Sequence, residues 1–249
     1  MAAVGLLHPG EMGSALGAAL LDAGHDVLWA SEGRSAQTAE RAGRFEDAGD
    51  AATVAERAEV ILSVCPPHAA GDVLRSVPKF DGVYVDANAV SPATARALAA
   101  EKPLFVDGGI IGPPPREAGT TRLYLSGPEA ASVARLFDGT NLDARLLSTE
   151  IGDASALKMT YAAWSKGSAA LLLAIRATAR AEGIEDRLLS EWSLSIPGLE
   201  ARSEGAERSA HAKGWRWVGE MEEIAATFGA AGQPEGFHQA AAEIFRRFS

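Results

Sequence analysis

The fold is decided by the stretch Val4-Gly5-Leu6-Leu7-His8-Pro9-Gly10-Glu11-Met12-Gly13-Ser14-Ala15. A short apolar run meets a glycine-containing turn and then an amphipathic helix, which is the order of a dinucleotide-binding βαβ unit. In such a unit Gly10 lets the backbone approach a pyrophosphate and Gly13 lets the helix pack closely on the strand. The first glycine of the usual G-x-G-x-x-G pattern is His8 here. The motif alone also fits an ordinary strand–turn–helix that binds no ligand.

The first half of the chain alternates short apolar segments with helical patterns. Fully apolar strands that alternate with helices indicate a parallel sheet covered on both faces. We therefore predict an α/β fold with a Rossmann-type doubly wound parallel sheet, in which a ligand binds beyond the carboxyl ends of the strands. The predicted strands after the first are Val27–Ala30, Val60–Val64, Val83–Val85 and Leu104–Val106, and the predicted helices are Ser14–Ala23, Ser35–Ala42, Ala69–Ser76 and Pro92–Ala100.

Composition limits the function classes. The 249 residues include 47% hydrophobic ones, and 33 acidic against 23 basic residues give a net charge of −10. That charge argues against a nucleic-acid-binding surface and leaves no basic patch for anionic lipids. The longest apolar stretch, Ser168–Ile175, is too short to span a bilayer, and no signal-type segment opens the chain.

The single cysteine, Cys65, carries information about compartment and chemistry. It has no partner for an internal disulfide, which favours a reducing compartment, the cytoplasm. Cys65 follows a predicted strand and precedes Pro66 and Pro67. Two interpretations stay open: a catalytic thiol, or a small buried residue at the end of a strand.

The second half of the chain is predicted to be entirely helical. A long pattern rich in Ala and Leu covers Asp153–Glu182 and ends at Gly183, a C-cap residue. We predict a dinucleotide-binding domain over residues 1–152, joined by this long helix to a helical domain over residues 153–249. The further predicted helices are Asp186–Leu194, Leu199–Ala210, Val218–Phe228 and Gly236–Phe248, with Gly214 between the second and the third.

The size of this helical domain bears on assembly. It has fewer than a hundred residues and contains Trp192, Trp215 and Trp217. A domain so small and so rich in apolar side chains is expected to complete its core by forming a homodimer.

Four segments occur in the order and at the spacing of one known family. They are Gly5–Gly13, Asp86–Pro92, Asp107–Pro113 and Gly152–Lys158. On these segments the chain resembles the β-hydroxyacid dehydrogenase and 6-phosphogluconate dehydrogenase superfamily, and within it the subgroup with a shortened helical C-terminal domain. The resemblance implies a nucleotide loop, a segment beside the nicotinamide, a substrate loop and the start of the interdomain helix, in that order.

Lys158 is the predicted catalytic residue. It lies on an otherwise apolar helix, where partial desolvation of its ammonium would lower the pKa and suit proton transfer near neutral pH. The resemblance implies that this lysine exchanges a proton with the substrate oxygen. The alternative from the sequence alone is a lysine that reaches the surface from the first helical turns.

The same helix departs from the family pattern. Tyr161 and Ala162 stand where the family usually carries an Asn-Asn pair, and Ser165 shares roughly one helix face with them and with Lys158. Tyr161 is therefore a second catalytic candidate, as a donor or even as the acid, and packing at a domain interface is the equal alternative. Lys166 lies off that face and is expected to point to solvent or to another subunit.

The substrate loop departs further. The resemblance implies a Ser-Gly-Gly that grips a substrate carboxylate, and this chain has Ile111-Gly112-Pro113 instead. An isoleucine there favours an apolar group, because an unpaired carboxylate would be costly. The predicted substrate-binding residues are Gly109, Ile110, Ile111, Gly112 and Ser165, and the candidates for an anion site are Arg116, Arg122 and His211.

Cofactor choice depends on the segment after the second strand, Trp29–Ser35. An acidic residue at the strand end favours NAD by binding the ribose 2′-OH, whereas nearby Arg and Ser residues accommodate a 2′-phosphate. Glu32 lies past the expected place of the acid, so the sequence predicts NADP, with NAD as the alternative. The predicted cofactor-binding residues are His8, Pro9, Gly10, Glu11, Met12, Ser31, Arg34, Ser35, Val64, Cys65, Pro66 and Asn88, and no metal ligand is predicted.

The residues and the resemblance together predict an NADP-dependent oxidoreductase that transfers hydride between the nicotinamide and a small carbonyl or hydroxy compound. An imine-reductase-like activity is one alternative, since those relatives also lack the Asn pair and accept apolar substrates. A non-catalytic NADP-binding sensor is the other: the altered fingerprint fits it and the retained Lys158 does not. The expected partners are a small-molecule substrate and a second copy of the chain.

Overall fold

The structure, a computed structural model, describes residues 1–248. Ser249, the last residue of the predicted helical domain, lies outside that range. The chain forms two compact units, which divide between Lys158 and Met159. The division falls inside a long helix, so this helix belongs to both units.

The first unit is built on one sheet. Its strands are β1 Ala3–Leu6, β2 Asp26–Trp29, β3 Glu46–Asp47, β4 Val60–Ser63, β5 Val83–Asp86, β6 Phe105–Ile111, β7 Thr121–Ser126 and β8 Leu142–Ser148. Its helices are α1 Glu11–Asp22, α2 Ala36–Arg41, α3 Ala51–Arg57, α4 Ala70–Arg75, α5 Pro92–Ala99 and α6 Ala130–Arg135, followed by the start of α7, which spans Asp153–Ala181.

The strand order is β3-β2-β1-β4-β5-β6-β7-β8. The pairs from β3 to β6 are parallel, β7 is antiparallel to β6, and β8 runs parallel to β7. The predicted Rossmann-type doubly wound sheet is confirmed, and the antiparallel β7 was not foreseen. The order reverses between β1 and β4, and the carboxyl ends of these strands form the crevice where such sheets bind ligands.

Two apolar layers cover the two faces of this sheet. One contains Leu6, Leu16 and Trp29, and the other contains Ile61 and Tyr84. Both faces of the central strands are thus buried, which explains why β4 and β5 read as apolar runs rather than as alternating patterns.

The second unit continues α7 and adds α8 Glu185–Ser195, α9 Leu199–Ala230 and α10 Gly236–Arg246. The predicted break of α9 at Gly214 is wrong, because α9 is one helix of 32 residues. A Cβ at Gly214 would lie 3.2 Å from the Cβ of Phe248. This glycine therefore marks the close approach of the C-terminal residues to α9 rather than a turn.

Lys166 also departs from its predicted place. Its ammonium pairs with the Glu220 carboxylate at 2.7 Å, and the two side chains are only 14% and 9% exposed. It also lies over the ring of Trp217. The expectation of a solvent-directed side chain is wrong, because the pair joins α7 to α9 inside the helical unit.

We predict that Lys166→Met lowers the free energy of unfolding by about 3 kcal/mol, since it removes the ammonium that faces the buried charge of Glu220. Urea denaturation followed by circular dichroism measures this. The matched control is Arg208→Met, because the Arg208–Glu204 bridge is exposed and its loss should cost less than about 1 kcal/mol. Equal losses in the two variants would contradict the prediction.

Candidate functional site

The loop from Leu7 to Gly10 joins β1 to α1 at the reversal of strand order. Gly10 is the N-cap of α1, and no side chain caps this helix end. A Cβ at Gly10 would meet nothing within 4 Å, whereas a Cβ at Gly13 would lie 2.7 Å from the His8 carbonyl oxygen. The loop therefore leaves open space above the helix N-terminus, as an approaching pyrophosphate requires.

His8 occupies the place of the first fingerprint glycine without backbone strain. Every residue with positive φ in the described part of the chain is a glycine, so His8 has an ordinary conformation. Its Nδ1 lies 2.9 Å from Nη1 of Arg34, which follows β2. Burial, and then the charge of Arg34, lower the pKa of His8 to about 4. The structure thus brings together two residues predicted to bind the cofactor from different loops.

The other two members of the predicted phosphate clamp lie in the same turn. The Arg34 N–H donates to the Ser31 carbonyl at 3.1 Å. Ser35 is the N-cap of α2, where its Oγ accepts the Thr38 N–H and lies 3.1 Å from the Thr38 hydroxyl. The hydroxyl of Ser35 is thus already engaged with the helix that it caps.

Asn88 connects the ends of β4 and β5. Its Oδ1 accepts the Cys65 N–H at 2.5 Å, while its Nδ2 donates to Ser63 Oγ at 3.1 Å and to Asp86 Oδ2 at 2.8 Å. The residue is only 3% exposed. Its amide is therefore engaged in holding the loop of Val64, Cys65 and Pro66, and its role in cofactor binding stays a prediction.

Cys65 behaves as a small residue at a strand end. Burial, and then the charge of Asp86, raise the pKa of its thiol to about 12. At neutral pH the group stays a thiol, whereas the thiolate is the nucleophile. The geometry therefore favours the structural interpretation of Cys65 over the catalytic one.

Asp107, in β6, holds the start of α7. Its Oδ2 accepts the N–H groups of Gly152 at 3.0 Å and Ser155 at 2.9 Å, and its Oδ1 accepts the Ser155 hydroxyl at 2.6 Å. Ser126 of β7 donates its hydroxyl to the same carboxylate and accepts the Ala154 N–H. The first N–H groups of a helix have no acceptor within the helix. Here Asp107 of β6 and Ser126 of β7 supply acceptors for the N–H groups at the start of α7.

Lys158 meets the predicted substrate loop. Its Nζ donates to the Ile110 carbonyl oxygen at 2.7 Å. A Cβ at Gly109 would lie 2.6 Å from the Ala154 carbonyl oxygen and 3.1 Å from the Cβ of Lys158. Only a glycine therefore lets α7 approach β6 so closely, and this approach brings Lys158 to the residues Gly109–Gly112.

The remaining predicted site residues lie elsewhere. Tyr161 belongs to the helical unit and is 50% exposed. Ser165, in the same unit, lines a cavity of about 220 Å³ together with Arg202 and Trp217. The proposed roles of Tyr161 and Ser165 toward a substrate stay predictions.

The candidate anion-binding residues do not come together within one unit. Arg116 and Arg122 belong to the first unit, and His211 belongs to the second, where its ring packs on Phe248. No group of three or more His, Cys, Asp or Glu residues in the range 1–248 is arranged to hold a metal ion. In the same range no helix is both long and apolar enough to cross a membrane.

Two family models match parts of the chain. Residues 3–90 match the model described as NADP oxidoreductase, coenzyme F420-dependent. Residues 179–248 match a domain of unknown function, DUF1932. An uncharacterized 28.5 kDa protein of Methanothermus fervidus, from the 7S RNA 5′ region, is 28% identical over 194 residues, which cover 75% of this chain and 74% of that protein.

Solved structures match nearly the whole chain. A conserved protein of unknown function, described as structurally similar to 3-hydroxyacid dehydrogenases, is 28% identical with a TM-score of 0.69, covering 99% of this chain and 96% of that one. The chain shares the 3-hydroxyacid dehydrogenase fold. Mycobacterium tuberculosis 3-hydroxyisobutyrate dehydrogenase, solved with L-serine, has a TM-score of 0.69 at 17% identity, covering 100% and 94%. Streptomyces aurantiacus imine reductase has a TM-score of 0.56 at 21% identity, covering 98% and 93%.

These likenesses confirm the predicted resemblance and the general class of dehydrogenase or reductase. The positioning role of Asp107 within this dehydrogenase fold was missed by sequence reasoning. Asp107 stood in the sequence at the head of the predicted substrate loop, and Ser155 stood shortly before Lys158. A carboxylate that precedes a glycine pair was the available signal, but its helix-capping role depends on the pairing of β6 with β7.

We predict that Asp107→Asn lowers the free energy of unfolding by about 2–3 kcal/mol, because the amide turns a donor toward N–H groups that need an acceptor. Thermal and urea denaturation measure the change. Asp143→Asn is the control, since Asp143 pairs with Arg145 at an exposed site and its loss should cost less than about 1 kcal/mol. An Asp107 variant as stable as the control would refute the capping role.

Proposed function

We propose that the chain is an NADP-dependent oxidoreductase that transfers hydride between the nicotinamide and a small carbonyl or hydroxy compound. The observation that carries this proposal is the hydrogen bond from the Lys158 ammonium to the carbonyl of Ile110, a residue of the predicted substrate loop. The dehydrogenase fold and the match of residues 3–90 to an NADP oxidoreductase model support it.

The residues present fit a dinucleotide. Gly10, Glu11 and Met12 would hold the pyrophosphate at the uncapped start of α1, since the space above Gly10 is open. Ser31 and Arg34 would hold the 2′-phosphate, and the loop of Val64, Cys65 and Pro66 would border the remainder. When bound, the nicotinamide supplies or accepts the hydride, and the chain supplies binding, orientation and the proton.

Lys158 would hold and move that proton at its Nζ. The Ile110 carbonyl accepts one N–H of the ammonium, which orients the group beside the substrate loop. An ammonium at this place can stabilise a developing alkoxide and donate a proton to the substrate oxygen, or take it back in the reverse direction.

The substrate loop favours a substrate with an apolar group. Isoleucine at position 111 supplies no hydroxyl for a carboxylate, and Pro113 stands where the family has a glycine whose N–H would bind an anion. A small ketone, aldehyde or alcohol therefore suits the loop better than a hydroxy acid does. The apolar loop and the shared fold of the imine reductase also support imine reduction as a second candidate.

We expect Lys158→Met to lower kcat by about 10²–10⁴-fold, the usual worth of general acid–base help, while NADPH affinity stays near the wild-type value. Methionine keeps the apolar stem, so packing should survive. Turnover is measured with NADPH or NADP and a panel of ketones, aldehydes, hydroxy acids and cyclic imines. Binding of NADPH without turnover of any member would favour a non-catalytic sensor.

Tyr161→Phe is the companion variant, because Tyr161 is the second candidate for the proton donor. If the Lys158 variant keeps its rate and the Tyr161 variant loses it, the role belongs to Tyr161. If both variants remain active on a substrate that the wild type turns over, the assignment of this helix to proton transfer is wrong.

A further expectation is that NADPH binds more tightly than NADH, through Ser31, Arg34 and Ser35. Calorimetry with both cofactors measures the two affinities. Arg34→Ala should remove the preference, while Arg41→Ala, which removes an equal charge from the end of α2, should keep it. Equal affinities in the wild type would point to NAD or to no preference.

The helical unit is proposed to form a homodimer in the cytoplasm. Its exposed side chains include Trp164 at 67% and Leu194 at 79% exposure. We expect light scattering at micromolar concentration to give a dimer that Trp164→Glu weakens. Leu146→Glu changes an exposed leucine of the first unit and should leave the dimer intact. A monomeric wild type, or dissociation by the Leu146 variant alone, would contradict the assignment.

A further inference from the structure

The contact between His8 and Arg34 has a defined direction. Arginine carries donors and no acceptor, so Nη1 of Arg34 donates to Nδ1 of His8 across 2.9 Å. The ring is then neutral, with its proton on Nε2. Burial and the neighbouring guanidinium keep it so at neutral pH, because they lower the pKa of His8 to about 4.

One N–H group of the Arg34 guanidinium has no hydrogen-bond acceptor among the described residues. Its Nε is buried and, among residues 1–248, has no hydrogen-bond partner. Burial also lowers the pKa of this arginine. An unpaired buried N–H of a charged group is costly. Because Nε is closed to solvent, a phosphate, whose geometry matches the planar donors of a guanidinium, would bind at the Nη groups.

The place of Arg34 in the fold selects which phosphate this is. Arg34 follows β2, and in dinucleotide-binding sheets the segment after this strand meets the ribose of the adenosine half. His8 lies at the start of the nucleotide loop, beside that segment. A glycine at position 8 would offer Arg34 no acceptor, and the long side chain would keep its rotamer freedom until a ligand arrived.

We propose that His8 is a positioning residue that holds the Arg34 guanidinium ready for the 2′-phosphate of an adenosine nucleotide, and so sets the preference for the phosphorylated ribose. This inference rests on the proposed function, since it takes NADP as the cofactor. This explains why histidine can replace the first glycine of the fingerprint. The turn requires no positive φ at position 8, and the histidine ring gives Arg34 a fixed acceptor.

The test uses two fragments of the cofactor, adenosine 2′,5′-bisphosphate and ADP, with the full chain in calorimetry. The wild type should prefer the bisphosphate, and His8→Ala should reduce that preference by about tenfold or more, the worth of a hydrogen bond to a charged group. His8→Asn keeps an acceptor near the position of Nδ1 and should restore the preference. ADP affinity, measured in the same variants, separates loss of the 2′-phosphate contact from a general loss of nucleotide binding, and the melting temperature checks that each variant folds.

Coupling to Arg34 separates positioning from a direct contact. The His8→Ala/Arg34→Ala double variant should bind the bisphosphate no more weakly than Arg34→Ala alone, because His8 acts through the arginine. Additive losses would overturn the proposal, as would a His8→Ala variant with wild-type preference. A wild type that binds neither fragment would refute both this inference and the proposed function, whereas intact binding that ignores His8 would refute this inference alone.

Discussion

The buried carboxylate of Asp107 is the interaction on which the placement of Lys158 depends. It accepts two backbone N–H groups and one hydroxyl from the first turn of α7, and a further hydroxyl from Ser126. Burial raises the pKa of this carboxyl, while the hydrogen bonds that it accepts oppose that shift. A negative charge at a helix N-terminus also complements the helix dipole. The start of α7 is thereby joined to the strand that carries the substrate loop.

Close approach completes what the carboxylate begins. Asp107 and Gly109 belong to the same strand, β6, and α7 contacts this strand at both residues. The Asp107 carboxylate binds the N–H groups at the start of α7, and Gly109, which has no side chain, avoids a clash with the α7 backbone. Lys158 lies on the turn of α7 that follows, so its ammonium reaches the Ile110 carbonyl. The position of the candidate catalytic group is thus set by the cap at Asp107 and the close approach at Gly109.

Much of the fold could be predicted from the sequence, because its determinants are local. The glycine turn before α1, the apolar runs of β4 and β5 and the cap at Gly183, which has positive φ, each act over a few residues. The sequence placed Lys158 and the loop Gly109–Gly112 in separate motifs, and the structure brings them together. Their meeting was implied by the family resemblance rather than by any local pattern.

The features that escaped prediction depend on partners distant in the chain. Gly214 looked like a helix break, because a glycine gives the same local signal whether it ends a helix or admits a neighbour. The amide of Asn88 is engaged with Ser63, Cys65 and Asp86, and no local pattern indicated these three partners. Lys166 looked solvated, since its partner Glu220 lies on another helix. In each case the sequence drew attention to the residue, but it did not show which distant residue is its partner.

Within β6, the residues that hold α7 are different from the residues that depart from the family pattern. Asp107 and Gly109 fix α7 from the buried part of the strand, whereas Ile111 and Pro113 lie at its far end and beyond it. Ile111 is only 5% exposed, so a change from serine to isoleucine at this position adds apolar packing at the end of the strand, away from the cap and the close approach. The geometry of Lys158 thus depends on Asp107 and Gly109, and not on the two positions at which the sequence departs from the family pattern.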